Sequence, residues 1–194
     1  DPFINSIWVT DNIGVIRKFQ ASDGTLLGTY STNGQPGGIV FDSSSNSIWI
    51  SNNTEKIQKF QASDGALLGT YPSGVYSYNL LVFDSYSNSI WVLRGNPYGV
   101  YKINATDGSL LGTYVSGGNS CCSPDNIIFE SSTNSIWVTN YSDNTLRKIK
   151  ASDGNNSFAS TYSAGNASAP RGIAFDSSSN SIWVGSTYLQ KFQA

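Results

Sequence analysis

Any chemistry in this chain has to proceed without histidine, because its 194 residues include none. That removes the commonest general base near neutral pH and the commonest metal ligand. Carboxylates, lysines, arginines, tyrosines, two cysteines and many hydroxyls remain, and they sort by whether they recur. Lys18, Lys59, Lys102, Lys148 and Lys191 hold one recurring position; Asp23, Asp64, Asp107 and Asp153 hold a second; Asp42, Asp84, Glu130 and Asp176 hold a third. A charge that returns once per repeat serves the repeat, through turn chemistry or a Lys–carboxylate pair, rather than a unique active site. The acids left over, Asp1, Asp11, Glu55, Asp125 and Asp143, do not cluster in sequence. Serine is abundant but has no recognisable base beside it. The stretch "NYSDN" at 140–144 could contribute to a calcium site, yet no full ligand loop surrounds it, and two cysteines without histidine supply too few ligands for zinc. The expectation is therefore no catalytic residue, no metal and no cofactor.

Residues that do not recur are the candidates for recognition: Tyr76, Tyr78, Arg94, Asn96, Tyr98, Tyr141, Asp143, Arg171 and Tyr188. Tyrosine and arginine amid asparagine and glycine are what adaptable binding surfaces use, since a two-torsion aromatic gives contact area at low entropic cost. Cys121 and Cys122 are adjacent in "GGNSCCSPDN". Consecutive Cα atoms lie about 3.8 Å apart, short for a disulfide, so a vicinal bridge, two thiols and bonding to another chain all stay open. Asn52, Asn104, Asn140, Asn155 and Asn166 head Asn-x-Ser/Thr sequons, which suit a secreted or cell-surface glycoprotein.

The elements that position these residues follow from an internal repeat. Ser-Ile-Trp recurs with its tryptophan at 8, 49, 91, 137 and 183, in steps of 41, 42, 46 and 46 residues. Within "GGIVFDSSSNSIWISNNTEKIQKFQASDGALLGTY" four short apolar segments, roughly 38–42, 47–51, 56–61 and 66–71, are divided by "SSSN", a polar stretch and "SDG". Short runs rich in Ile, Val, Trp, Phe and Tyr between turn residues predict strands, and Asp-Gly predicts a hairpin because glycine accepts positive φ. Four antiparallel strands per 40–45 residues predict an all-β chain, a β-propeller of about five four-stranded units: 1–36, 37–78, 79–124, 125–170 and 171–194. The second strand is apolar on both faces, as a strand sandwiched by neighbours would be. All five tryptophans are expected in the core, each worth about 4–6 kcal/mol of buried area as an upper bound.

The phrases "IWVTN", "LRKIKASDG" and "PDNIIFESSTNS" resemble the YVTN and NHL families of β-propellers, over the whole chain. The phrase is also similar to that of the streptogramin lyases and, more distantly, the gluconolactonase-like propellers. Such phrases specify fold better than activity. Streptogramin-type lyases imply a catalytic histidine, which no position here can supply. The lactonase-like propellers imply Glu, Asn and Asp around a divalent metal; only Glu55 and Glu130 are available, so that site is not carried over.

Length variation among the copies sits between the second and third strands and between the fourth strand and the next first strand, which places individual residues on one face. Charged residues make up 12% of the chain and the net charge is −2, giving no footprint for nucleic acid; no apolar run would span a bilayer. The chain opens on Asp1 rather than Met and is read as processed or trimmed. By alignment the first unit lacks a first strand and the last lacks a fourth, which leaves three readings open: a segment of a longer ring or repeating chain, a five-bladed ring with weak closure, or sheet edges that accept strands from neighbouring chains. The functional expectation is a non-enzymatic extracellular scaffold or interaction module, assembling with copies of itself through those edges. The alternative is a carbohydrate-binding propeller; a lyase or lactonase comes third. Partners are then protein, including copies of itself, or glycan.

Overall fold

The computed structural model describes residues 5–54, 56–72, 80–94, 99–115, 124–152, 160–164 and 169–194. These form eighteen strands and no helix, arranged as five antiparallel sheets in chain order. The first sheet is β1 (Ser6–Asp11), β2 (Val15–Gln20) and β3 (Leu26–Ser31); the second is β4 (Pro36–Asp42), β5 (Ser47–Asn52), β6 (Lys56–Gln61) and β7 (Leu67–Pro72). The third is β8 (Leu81–Asp84), β9 (Ser89–Arg94), β10 (Gly99–Asn104) and β11 (Leu110–Val115); the fourth is β12 (Pro124–Glu130), β13 (Ser135–Asn140), β14 (Thr145–Lys150) and β15 (Ser160–Ser163). The fifth is β16 (Gly172–Asp176), β17 (Ser181–Gly185) and β18 (Leu189–Gln193). In each sheet every strand pairs only with its neighbours in sequence.

Two turns account for this regularity. The acid ending the first strand accepts from the turn backbone: Asp42 Oδ1 from Ser44 N at 2.9 Å, and Asp84 Oδ1 from Tyr86 N at 3.0 Å. An asparagine then takes left-handed φ, 45–51° at Asn5, Asn46, Asn88, Asn134 and Asn180, a region that residue tolerates. The Asp-Gly turn works similarly: Gly24, Gly65 and Gly108 have φ of 73–77°, and the preceding aspartate accepts from the residue after the glycine.

Side chains alternate across a strand, so the Ser-Ile-Trp-Val/Ile phrase sends its tryptophan to one face and its branched residues to the other. Trp8 and Ile16 meet Ile48 and Ile50 of the second sheet; Trp49 and Ile57 meet Ile90 and Val92 of the third. Trp91 and Val100 meet Ile136 and Val138 of the fourth; Trp137 and Leu146 meet Ile182 and Val184 of the fifth. One formula thus joins four successive pairs of sheets. Trp183, on the outer face of the fifth sheet, is half-buried, which corrects the expectation that all five tryptophans lie in the core.

The lysine opposite each tryptophan completes the junction. Trp8 pairs in register with Lys18, Trp49 with Lys59, Trp91 with Lys102, Trp137 with Lys148 and Trp183 with Lys191, each ammonium 5.0–5.5 Å from the ring centroid. A tyrosine of the fourth-position or outer strand covers four of these indoles: Tyr30, Tyr71, Tyr114 and Tyr162, at centroid separations of 5.0–5.4 Å. Three lysines then reach the following sheet, Lys18 Nζ donating to Ala62 O at 2.9 Å, Lys59 to Ala105 O at 2.7 Å and Lys102 to Ala151 O at 2.7 Å. Burial outweighs the nearby carboxylates and holds the Lys18, Lys59 and Lys102 ammonium groups below their ordinary pKa. Lys59 and Lys148 also stand 3.9 Å from Asp42 and Glu130, the carboxylate pairing anticipated from sequence.

Removing the indole tests this arrangement. Trp49→Ala is expected to cost about 3–5 kcal/mol in urea unfolding, whereas Trp183→Ala, on a face none of the described sheets covers, costs less than half as much. Equal losses would show that the indoles do not act through the next sheet.

Glu130 stands where the other sheets have aspartate. Trp49 Nε1 donates to Asp42 at 3.4 Å and Trp91 Nε1 to Asp84 at 3.3 Å. The longer Glu130 instead accepts from Ser132, and from Thr133 N at 2.7 Å and Thr133 Oγ1, while the buried Trp137 Nε1 has no hydrogen-bond partner among the described residues. Burial alone would raise the Glu130 pKa; its bonds to Ser132 and Thr133 and the Lys148 charge together bring it below the usual value. A depressed folded pKa gives stability that is present above the unfolded value and lost as pH falls through the folded one. Glu130→Gln should therefore cost about 1–3 kcal/mol at pH 7, with the gap to wild type narrowing below the ordinary glutamate range. Denaturation curves at neutral and acid pH measure this; a pH-independent gap contradicts it.

Candidate functional site

Two sequence-predicted residues from different sheets come together at the loop ends of the fourth and fifth. Tyr141 follows β13, and Arg171 precedes β16, where its N–H donates to Gly185 O at 3.0 Å. That bond fixes the backbone from which the guanidinium lies over the Tyr141 ring, 4.6 Å from its centroid. An exposed contact of this kind is worth about 0.5–1 kcal/mol, enough to favour one arrangement of two solvent-facing side chains.

Beside the pair, Gly172 and Gly185 are register partners across β16 and β17, so no Cβ rises from this part of the sheet. Tyr141, Ala169, Arg171, Gly172, Gly185, Ser186 and Thr187 line an open cleft of about 570 Å³. Ala169 has φ of 61°, and its N–H donates to Asn144 Oδ1 at 2.6 Å. Left-handed backbone at alanine costs about 1–2 kcal/mol, so strain is concentrated at the rim. The lining offers a guanidinium, a phenol, two hydroxyls and bare backbone. Among the described residues that line it there is no carboxylate and no thiol.

The other anticipated residues are placed as follows. Arg94 bonds and stacks on Tyr101 within its own sheet, the guanidinium 4.8 Å from the ring centroid. Asp143 pairs with Arg147 at 3.0 Å and accepts from Thr145 N at 3.2 Å, so its carboxylate is engaged locally rather than set out for calcium. Tyr188 is exposed and does not line the cleft, although its carbonyl accepts from Ser186 N at 3.1 Å. Among the described residues no group of three His, Cys, Asp or Glu could hold a metal. Tyr76, Tyr78, Asn96, Tyr98, Cys121, Cys122, Asn155 and Asn166 lie outside the described residues.

Of the described sequons, Asn52 and Asn140 are fully buried. The amide of Asn52 donates to Asn33 O at 2.8 Å, and that of Asn140 to Thr145 Oγ1 at 3.4 Å. A glycan on either would have to displace those bonds; Asn104, half-buried, is the more accessible position.

A second cavity, about 440 Å³, lies where the first strands of sheets two to five meet, lined by Val40, Phe41, Val82, Phe83, Ile128, Phe129 and Phe175. Its residues are apolar and recur from sheet to sheet, as packing residues do. By contrast, the position of Gly185 varies among the copies, holding Thr10, Ser51, Leu93 and Thr139, and only the fifth copy leaves it without a side chain. That glycine was the available signal for the cleft. Neither a protein-family model nor a curated protein matches this chain.

Proposed function

We propose that the five sheets are blades of a β-propeller and that the chain is a non-enzymatic, extracellular interaction module whose recognition face holds the Tyr141–Arg171 cleft. The propeller reading is supported by the side-by-side packing of β4, β8, β12 and β16 around shared apolar residues, with the later strands following outward in order. The extracellular reading rests on a hydroxyl- and amide-rich composition with few charges and on the sequon at Asn104, the most accessible of the described ones.

One observation carries the functional reading: the unrepeated Tyr141 and Arg171, from two sheets, converge on one cleft whose described residues present donors and bare backbone. A scaffold needs only the repeated residues, so side chains that depart from the repeat and meet in space point to a ligand. A second reading, carbohydrate binding, is favoured by the hydroxyls of Ser186 and Thr187 beside an aromatic ring and an arginine. Self-association through open edges is consistent with the groove of about 220 Å³ alongside β1, bordered by Ile7, Ile39 and Phe41.

Binding measured on glycan and peptide arrays tests the cleft. Arg171→Ala and Tyr141→Ala are each expected to weaken the wild-type signal by roughly tenfold or more. A glycan array silent with wild-type protein removes the carbohydrate reading, and a ligand bound equally well by both variants removes the cleft.

A further inference from the structure

We propose that the cleft beside Tyr141 and Arg171 takes a sugar that carries a ring carboxylate, a uronic or sialic acid unit of an acidic glycan, with the guanidinium as its anchor. This rests on the interaction-module reading and gives the cleft a class of ligand.

The charge is the first argument. The other three arginines of the chain are engaged, Arg17 with Asp11, Arg147 with Asp143 at 3.0 Å and Arg94 with the Tyr101 hydroxyl. Among the described residues no oxygen accepts from the guanidinium of Arg171, which is exposed and is the one charged side chain of the described lining. The repeat does not call for a cation here, since other copies hold Gly37, Asn79 and Asp125 at this position. A guanidinium held over an aromatic ring keeps its planar fork of N–H donors and has less freedom to lose on binding. Two coplanar carboxylate oxygens fit that fork bidentately, and one carboxylate balances its single charge, whereas a phosphate dianion would be left half neutralised.

The floor is the second argument. Neither Gly172 nor Gly185 has positive φ, and a Cβ built on either would meet nothing nearer than 3.9 Å. The fold therefore has room for side chains that the cleft lacks, as Thr10, Ser51, Leu93 and Thr139 show at the position of Gly185. Their absence lets a pyranose ring lie flat against backbone. The wall beside this floor is low, because β17 and β18 have five residues each where β5 and β6 have six.

Hydroxyls select a sugar over a peptide. The Tyr141 and Thr187 hydroxyls have no hydrogen-bond partner among the described residues, so both are free to meet ring hydroxyls. An acidic peptide would also bring flanking side chains to seat, and the described lining offers nothing apolar beyond the Tyr141 ring and the Ala169 methyl. A cleft of about 570 Å³ has the size of a small-ligand site.

Titration calorimetry with four probes tests the assignment: trigalacturonate and its neutral methyl ester, sialyllactose and lactose. At least one acid is expected to bind roughly tenfold or more tightly than its neutral counterpart, and the one that does so identifies the sugar. Arg171→Gln should abolish that preference, and Arg171→Lys, which keeps the charge without the fork, should retain only part of it. Gly185→Val fills the floor and should weaken acid and neutral probes alike; unchanged urea midpoints verify that each variant is folded. The proposal is wrong if neither acid binds, if neither is preferred, or if the preference survives in Arg171→Gln. It is equally wrong if a sulfated galactose oligomer or a glutamate-rich peptide binds better than either acid. Neutral probes that bind as well as the acids and are lost with Tyr141→Ala remove the carboxylate alone. An acid bound equally by wild type, Tyr141→Ala and Arg171→Gln removes the cleft as well.

Discussion

Everything in this molecule depends on covering one indole per sheet. A tryptophan side chain is too large to be buried within a single three- or four-stranded meander, whose two faces are each one residue deep. It is buried only when a second sheet lies against it, with the branched residues of that sheet filling the space around the ring. Lysine above, tyrosine beside and the next sheet beyond form one contact set, and the lysine carries its positive charge into that setting only because a backbone carbonyl awaits it. The sheets are therefore not independent units that happen to touch; each supplies what its neighbour needs to bury its largest side chain.

Turn chemistry makes the arrangement repeatable. Asparagine at left-handed φ before every Ser-Ile-Trp holds the alternation in phase, so the indole always leaves by the same face. A slip of one residue would send it to the other side, where the previous sheet offers another tryptophan rather than a socket. Glu130 shows the tolerance of the design. The longer acid keeps the turn closed and gives up the indole N–H bond, a substitution the fold absorbs at the cost of one buried unpaired donor.

Much of this could be read from the residues. The strands at 38–42, 47–51, 56–61 and 66–71 correspond to β4 to β7 within two residues, because alternation and turn residues are local signals. The lysine was legible as a structural charge but not in its main partner, since a backbone carbonyl some 44 to 49 residues away has no sequence signature. The half-burial of Trp183 was likewise hidden, because its phrase is the same as those of its buried counterparts and only the neighbouring sheet differs. At the cleft, Tyr141 and Arg171 could be named for their residue types, whereas Gly172, Gly185 and Ala169 matter through backbone geometry alone.

A junction with a donor face and a receiving face also has a genetic consequence. An in-frame duplication of one whole period adds a unit that already carries both faces, so the longer chain needs no compensating change to accept it. A duplication out of phase with the period would leave an indole or a branched pair without its counterpart. Copy number in such a chain can therefore change in whole steps without any change to the residues within a copy.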